Sequence, residues 1–225
     1  MVSNDSQQIE YWSSRGNQRA YNHPVVELFA RQRLDYLQSM IDIRPDARLL
    51  DVGCGDGFST FYAERFGVEV FGIDRSEFML SHHPLKSRVA CADAYALPFA
   101  DGSFDIVWSW ELLHHSSDPA VVIREMQRVS RRYCVIFEPN RYNPALFLYG
   151  LFKKEERWLW RWSKRFARST FANQDWRICS VENCGAILPN ATPMFLAQAL
   201  KHLPFRLPLV GISIMLVAEK VSPSR

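Results

Sequence analysis

Residues 49–57 read Leu-Leu-Asp-Val-Gly-Cys-Gly-Asp-Gly, which is an apolar run followed directly by a turn with glycine at every second position. A short apolar run of this kind is typical of a parallel strand that is buried on both faces. The spacing of aromatic residues over 58–66 predicts a helix after the turn, and Gly67 is a suitable helix end. Because glycine lets a ligand approach the main chain, this unit predicts a nucleoside-cofactor site with backbone N–H groups directed at the ligand.

The spacing of the glycines distinguishes between two nucleoside cofactors. A dinucleotide fingerprint needs the pattern G-x-G-x-x-G, whereas this chain reads G-x-G-x-G and has Phe58 where the third glycine would stand. Asp51 precedes the turn and Asp56 lies within it. These carboxylates would repel a pyrophosphate but suit a ligand that carries an ammonium and a sulfonium group. The pattern therefore favours S-adenosylmethionine over NAD, and a tight strand-to-helix turn without any ligand is the structural alternative.

Two more carboxylates follow later strands. Asp74 ends the second apolar run, 21 residues after Gly53, where a carboxylate can accept hydrogen bonds from both ribose hydroxyls. Asp93 follows a short strand predicted over 88–92. There it can accept a hydrogen bond from the exocyclic amine of adenine, and Ala94 can offer a backbone N–H.

The elements that follow alternate between strands and helices. A strand is predicted over 106–109, and Asp118 with Pro119 opens a helix because a carboxylate N-cap and proline at the first position favour helix initiation. This helix extends to about Arg131 and leads into a buried strand over 133–138. The patterns after it predict a strand over 177–181, a helix over 193–203 and a last strand over 211–219.

In this order, these stretches resemble the class I S-adenosylmethionine-dependent methyltransferases, and most closely the broad group that includes the ubiquinone and menaquinone biosynthesis methyltransferases. The stretches that carry the resemblance are 49–57, 71–74, 93–99, 104–109, 113–119 and 135–139. One departure is visible, since the family usually has Pro-Gly-Gly between the fourth helix and the fifth strand. This chain has Arg131, Arg132 and Tyr133 there, which puts the geometry of that loop in doubt.

The resemblance implies a fold and a set of site residues. The fold is α/β, with a Rossmann-like doubly wound sheet of seven mostly parallel strands, an antiparallel last strand and three αβα layers. The glycines would contact the methionine and ribose parts of the cofactor, Asp74 the ribose hydroxyls, and Asp93 with Ala94 the adenine. Asp51 would orient the amino-acid end and Trp110 would line the pocket. The complete set of expected cofactor-binding residues is Asp51, Gly53, Cys54, Gly55, Gly57, Asp74, Arg75, Asp93, Ala94 and Trp110.

Methyl transfer from a sulfonium is an in-line displacement, so the protein mainly has to hold donor and acceptor in line. A general base is needed only if the acceptor carries a proton that must leave. His114 and His115 are the candidate catalytic residues, because they follow the fourth strand and have a suitable ordinary pKa. A packing or backbone-bonding role is the alternative for these histidines. Glu111 and Glu138 also stand at strand ends, where they can orient the acceptor.

Length and composition limit the other possibilities. A chain of 225 residues fits one α/β domain with a modest addition. No apolar stretch approaches the roughly 18 residues of a spanning helix, and the N-terminus has no signal-peptide pattern. The five cysteines lack the paired spacing of a zinc site, so no metal is expected and a cytoplasmic location is favoured.

Four parts of the chain are expected to have different tasks. Residues 1–44 would form an N-terminal helical cap and 45–140 the core that binds S-adenosylmethionine. Residues 141–177 would be a basic, aromatic-rich helical insertion, and 178–225 would complete the same sheet.

The insertion over 141–177 holds nine Lys and Arg residues against three Asp and Glu residues, with tryptophans interleaved. This composition predicts peripheral membrane contact through 146–168, or contact with a lipid-linked substrate or an anionic partner. The alternative is that Trp158, Trp162 and Phe166, at i, i+4 and i+8, form the core face of one helix. Nucleic acid is not expected as a partner, since the net charge is only +3. The pattern carries no information on oligomeric state.

The sequence therefore predicts a cytoplasmic, membrane-peripheral methyltransferase that acts on a small-molecule or lipid-like acceptor with S-adenosylmethionine. Two alternatives stay open. One is an NAD-dependent oxidoreductase or epimerase on a related sheet, and the other is a non-catalytic binding module that keeps the same fold.

Overall fold

One seven-stranded sheet organises the chain in a computed structural model, which describes residue 12 and residues 18–152, 160–171 and 173–221. The strand order across the sheet is β3-β2-β1-β4-β5-β7-β6. In chain order the strands are β1 (Arg48–Val52), β2 (Glu69–Asp74), β3 (Val89–Cys91), β4 (Phe104–Trp110), β5 (Ser130–Pro139), β6 (Trp176–Cys184) and β7 (Ser213–Lys220).

Strands β1 to β5 run parallel to one another, and β7 is antiparallel to both β5 and β6. The predicted mostly parallel sheet with an antiparallel last strand is therefore confirmed. After β1 the chain builds β2 and β3 on one side and then returns to place β4 on the other side. This reversal opens a crevice at the carboxyl ends of β1 and β4, which is where open α/β sheets bind ligands.

Helices cover both faces of the sheet. They are α1 (Pro24–Gln38), α2 (Phe58–Ala63), α3 (Glu77–Ser81), α4 (Pro119–Val129), α5 (Pro144–Phe152), α6 (Lys164–Thr170) and α7 (Met194–Leu200), with 3₁₀ turns at Glu64–Phe66, Lys86–Arg88 and Leu113–His115. The predicted start of α4 is confirmed, because the Asp118 carboxylate accepts hydrogen bonds from the N–H groups of Ala120 and Val121.

Alternation along the strands divides the buried side chains into two cores. In β4, Ile106, Trp108 and Trp110 face a first core that also contains α1, α2 and α7. Val107 faces a second core, which contains α4 and Ala167 of α6. The period of two follows from the pleat of the strand, and it produces the three-layer arrangement.

The link between α4 and β5 differs from the family pattern because it has no loop at all. Helix α4 ends at Val129 and β5 begins at Ser130. Arg131 pairs with Asp105 at 2.7 Å, and Arg132 donates to Asp42 at 3.0 Å. The two arginines therefore bind neighbouring segments instead of forming the turn that Pro-Gly-Gly would make.

In the described part of the insertion, α5 and α6 are separate helices, and Trp162 does not share a helix with Phe166 as the i, i+4, i+8 spacing predicts. Trp162 is only 1% exposed, but it precedes α6, which begins after the capping residue Ser163. Phe166 packs partly against the second core, and Trp158 lies outside the described residues. Among the described helices, none has both the length and the apolar composition to cross a membrane.

Candidate functional site

The glycine turn after β1 has a left-handed backbone, with φ of +77° at Gly53, +53° at Gly55 and +91° at Gly57. A Cβ on Gly57 would lie 2.6 Å from the His83 ring and 2.7 Å from Pro84. Glycine is therefore needed at this position for space as well as for φ.

The backbone N–H groups of this turn bind the protein itself. Those of Gly53 and Cys54 donate to the Ile73 carbonyl at 2.8 and 3.0 Å, and that of Gly55 donates to the Asp74 carboxylate at 2.9 Å. The N–H of Gly57 donates to the Cys54 carbonyl at 3.0 Å. These four N–H groups are engaged within the protein because the turn closes onto the end of β2, so their contact with a ligand stays a prediction. A pyrophosphate would find these four donors already engaged.

Asp74 joins the turn to the next helix. One carboxylate oxygen accepts from Gly55 and the other accepts from the N–H of Ser76 at 2.8 Å. Burial raises the pKa of this half-buried carboxyl group. Each oxygen of a carboxylate can accept a second hydrogen bond, so Asp74 keeps the accepting capacity that two ribose hydroxyls require.

Asp51 lies beneath the turn with a side chain that is fully buried. One oxygen accepts hydrogen bonds from the hydroxyls of Ser59 and Thr60, the latter at 3.1 Å, so the carboxylate ties β1 to α2. Burial raises the pKa of Asp51 to about 6. The structure thus assigns Asp51 a role in holding the turn, and its effect on the amino-acid end of a ligand stays a prediction.

His83 extends this buried network, and sequence reasoning missed it. Its Nδ1 accepts from the N–H of Leu85 at 3.0 Å, so Nε2 carries the proton and donates to the Thr60 hydroxyl at 3.0 Å. Burial lowers the pKa of His83 to about 4. No local sequence pattern identifies such a residue, because its partners lie on the preceding strand-to-helix unit.

The expected adenine-binding residues follow β2 and β3 along the same edge of the sheet. Asp93 is exposed, and one of its oxygens accepts from the N–H of Tyr95 at 3.0 Å. Ala94 packs partly against the second core, while Arg75 is exposed directly after Asp74. The predicted residues from three strands are therefore brought to one edge.

Trp110 is a core residue in this structure. It is 4% exposed, and its ring lies 5.8 Å from Phe58, 4.7 Å from Phe137 and 6.3 Å from Phe29. Its part in lining the cofactor pocket stays a prediction. Its side chain points into the first core because position 110 continues the alternation of β4.

His114 is held by a buried carboxylate. Its Nδ1 lies 2.8 Å from Glu138, which also accepts the N–H groups of Leu113 and His114 at 2.7 and 3.0 Å. The ring of His115 packs against that of His114 at 3.9 Å. This geometry supports an orienting role for His114, and the catalytic role of either histidine stays a prediction.

Glu111, which follows β4 at this edge, has a left-handed backbone. It has φ of +57° although it is not glycine, a conformation that is uncommon outside functional sites. Its carboxylate accepts from the Ser213 hydroxyl at 3.1 Å and lies 3.9 Å from Arg33. The side chain keeps 31% of its surface exposed within a densely packed recess. Burial of its charged end raises the pKa to about 7 despite the nearby arginine.

Arg33 supports Glu111 from inside the protein and is fully buried. It donates to Ser213 at 2.6 Å and to the Phe29 carbonyl at 3.3 Å, and its guanidinium lies 3.4 Å from the centre of the Phe29 ring. Burial lowers the pKa of Arg33 to about 10. The signal that identifies this residue is its position four residues after Phe29, on the apolar face of α1.

Trp12 connects two edges of the crevice. Its carbonyl accepts from the Ser76 hydroxyl at 2.8 Å after β2, and its ring packs edge-on against His115 after β4, with ring centres 5.4 Å apart. Because β1 lies between β2 and β4, this N-terminal residue crosses the mouth of the crevice. Tyr11 lies outside the described residues, while His23 caps α1 by accepting from the N–H of Val25.

No group of three His, Cys, Asp or Glu side chains suited to a metal ion occurs in the described part of the chain. The candidate site consists of a closed glycine turn, four carboxylates at or near strand ends and two packed histidines. The carboxylates are those of Asp74, Asp93, Glu111 and Glu138, and the histidines are His114 and His115.

Replacing Gly57 by alanine should destabilise the fold more than replacing Gly55. Both positions have positive φ, which costs a residue with a Cβ about 1–2 kcal/mol. Only Gly57→Ala adds overlap with His83 and Pro84, since a Cβ on Gly55 would lie at an ordinary 3.6 Å from Met79. We expect Gly57→Ala to cost about 1–3 kcal/mol more in urea unfolding. Equal losses would mean that the His83 segment moves aside.

Glu111→Gln should stabilise the protein at alkaline pH. A pKa raised from 4.5 to about 7 means that ionisation costs more in the folded state, so the parent loses stability as pH rises through this range. Urea unfolding should show Glu111→Gln more stable than the parent by about 1–2 kcal/mol at pH 8, with no difference near pH 4.5.

Glu125→Gln is the matched control, because this substitution should lower the stability at high pH instead of raising it. The Arg128 hydrogen bond lowers the pKa of Glu125, so this carboxylate contributes stability at high pH that is lost as pH falls. If Glu111→Gln were destabilised at pH 8 in the same way, pairing with Arg33 would outweigh burial at Glu111.

Comparison with known proteins shows which domain the central part of the chain resembles. Residues 50–136 match the sequence model of a methyltransferase domain. The chain is 35% identical to 2-methyl-6-phytyl-1,4-hydroquinone methyltransferase of Synechocystis sp., over 53% of this chain and 42% of that protein. It is 36% identical to the ubiquinone biosynthesis O-methyltransferase of Hahella chejuensis, over 53% of each chain. The chain thus spans about half the length of these curated relatives.

Solved structures share the fold over almost the whole chain. Magnesium protoporphyrin IX methyltransferase of Synechocystis aligns with a TM-score of 0.63 at 15% identity, over 98% of this chain and 99% of that one. A methyltransferase from Aquifex aeolicus aligns with a TM-score of 0.61 at 15% identity, over 98% and 100% of the two chains. Residues 50–136 therefore resemble a methyltransferase domain, and the chain as a whole shares the fold of these solved methyltransferases.

Proposed function

We propose that this chain transfers a methyl group from S-adenosylmethionine to a small-molecule acceptor. The observation that carries the proposal is the pairing of Asp74 with the closed glycine turn inside the matched methyltransferase domain. The N–H groups of the turn are engaged within the protein, so the turn suits a ligand without a pyrophosphate. Asp74 keeps accepting capacity at the position that a ribose would occupy.

Each site residue has a part in holding the two reactants. The cofactor supplies a methyl group that is already activated by its sulfonium, so the main tasks of the chain are binding and alignment. Asp74 would hold the ribose, and Asp93 with Ala94 would hold the adenine. Trp12, which crosses the mouth of the crevice, would limit the access of water.

Glu111 is the proposed general base, which would take a proton from the acceptor. Its carboxylate is held by Ser213 and is partly exposed, with a pKa near 7, and these properties suit a general base at neutral pH. His114 is already bonded to Glu138 and would orient the acceptor or the turn. If the acceptor is a hydroxyl, its proton would pass to Glu111 as its oxygen bonds to the methyl carbon and the bond from that carbon to the sulfonium sulfur breaks.

The proposed acceptor is apolar and lipid-like. The names of the two curated relatives refer to a phytyl hydroquinone and to ubiquinone biosynthesis. In this chain, the carboxyl edge of the sheet continues into α5, which presents exposed apolar side chains.

The five cysteines are free, which supports a reducing compartment such as the cytoplasm.

The oxidoreductase alternative predicts binding of a nicotinamide cofactor. The chain does contain the Tyr-x-x-x-Lys spacing of short-chain reductases, at Tyr149 and Lys153, so the test must include NADH. The binding-module alternative predicts no affinity for either nucleoside cofactor.

Isothermal titration with S-adenosylhomocysteine and NADH tests the proposal directly. We expect the chain to bind S-adenosylhomocysteine and not NADH. Asp74→Asn should weaken that binding by about 1.5–3 kcal/mol, which is roughly 10- to 150-fold, because hydrogen bonds to a charged acceptor are lost.

Asp101→Asn is the control, since Asp101 precedes β4 at the opposite edge of the sheet and its side chain is 80% exposed. The Asp101→Asn protein should bind S-adenosylhomocysteine with the same affinity as the parent. An unchanged dissociation constant for a folded Asp74→Asn protein would contradict the ribose assignment, and binding of NADH alone would favour the oxidoreductase.

A further inference from the structure

The aromatic residues of the insertion fall into two sets. Trp162 is buried against the second core, as the packing alternative predicts. Tyr142, Phe147 and Trp160 are instead 65%, 48% and 39% exposed, and Leu148 is 57% exposed. Core packing therefore explains only part of this composition, and the exposed set needs another explanation.

The exposed set forms a continuous surface at the start of α5. The rings of Phe147 and Trp160 stack with centres 5.8 Å apart and an angle of 17°. The Asn143 side chain donates to the Val210 carbonyl at 2.7 Å, which holds a loop with two more exposed apolar side chains beside α5. We call this the α5 surface, and it comprises Tyr142, Phe147, Leu148, Trp160, Leu209 and Val210.

Basic residues lie within the α5 surface and next to it along the chain. Arg141 lines a recess of about 180 Å³ together with Tyr142, Phe147 and Trp160. Lys164, Arg165 and Arg168 follow on α6, and the sequence of the segment 141–177 carries a net charge of +6 from nine basic and three acidic residues. The partner of this surface should therefore be both apolar and negatively charged.

An anionic lipid bilayer has this chemistry. Aromatic rings are favoured at the boundary between head groups and acyl chains, while long basic side chains reach the phosphates. Protein interfaces, in contrast, are depleted in lysine and in excess charge of one sign near their centre. We infer that the α5 surface docks on the anionic face of a membrane.

The position of the surface connects it to the site. Helix α5 begins six residues after Glu138, the buried carboxylate that binds His114. A chain docked through this surface would turn the carboxyl edge of its sheet toward the lipid, where an apolar acceptor dissolves. Docking itself does not depend on methyl transfer, so the two proposals can fail separately.

Co-sedimentation with lipid vesicles tests the inference. The probes are phosphatidylcholine vesicles and vesicles in which about one third of the lipid is phosphatidylglycerol. We expect the parent to bind the anionic vesicles at least about tenfold better, and added salt to weaken this preference because the charges are screened. The same protein should bind S-adenosylhomocysteine in solution, which reports separately on the proposed function.

Two variants divide the surface into its apolar and charged parts. Phe147→Ser with Trp160→Ser should lower binding to anionic vesicles at least about fivefold, since buried apolar area contributes to membrane affinity. Arg165→Glu with Arg168→Glu should abolish the preference for anionic lipid. Leu209→Glu should also lower binding, and with 83% exposure it is a substitution that the fold tolerates.

Phe195→Ser is the matched control, because Phe195 is 77% exposed on α7, which packs against α1 and is not part of the α5 surface. It should bind vesicles as the parent does. The inference is overturned if the parent does not bind vesicles, or if the Phe147, Trp160 and Leu209 variants bind as well as the parent. It is also overturned if these variants instead dissociate a dimer seen in analytical ultracentrifugation, since the surface would then cover a second copy.

Discussion

The closure of the glycine turn onto the end of β2 is the constraint on which the site depends. The Ile73 carbonyl takes the N–H groups of Gly53 and Cys54, and Asp74 takes that of Gly55. These bonds require positive φ in the turn and a carboxylate at the last residue of β2. They fix the distance between two neighbouring strand ends, so every group that a ligand meets at this edge is positioned by main-chain geometry. This rigidity reduces the ordering cost when a ligand binds.

Burial also disfavours the charged forms of acidic groups at this edge of the sheet. Burial raises the pKa of Asp51 to about 6 and that of Glu111 to about 7, and it also raises the pKa of Asp74. Ionised carboxylates without solvent are unfavourable, so a cation that enters the crevice stabilises their charged forms. A ligand with a sulfonium and an ammonium group therefore gains from these residues, whereas a pyrophosphate would add to their cost. The electrostatics of the protein thus support the same cofactor as its hydrogen bonds.

Sequence patterns predicted the strands in their order along the chain, because strand formation depends on local signals. The apolar run before Gly53, the Asp118 cap and the alternation in β4 are each visible within a few residues. Residues that act across the fold were missed. His83 meets Thr60 only after β2 returns to the turn, and Arg33 contacts Ser213 of β7 and lies near Glu111, which follows β4. Helical spacing also failed for Trp162, since α6 begins only after the capping residue Ser163 and Trp162 lies before it.

Strand order also explains why the insertion lies beside the site. Strand β6 runs parallel to β5 but pairs with β7, which separates the two strands. The chain leaving β5 must therefore travel from the carboxyl edge back to the amino edge and pass the width of one strand. Such a crossover needs a dozen or more residues, and its first part necessarily lies at the carboxyl edge. Exposed apolar residues placed early in this crossover, such as Tyr142 and Phe147, cannot be far from the ends of β4 and β5. The topology that forms the cofactor crevice thus also provides a surface next to it, through which an apolar acceptor can arrive.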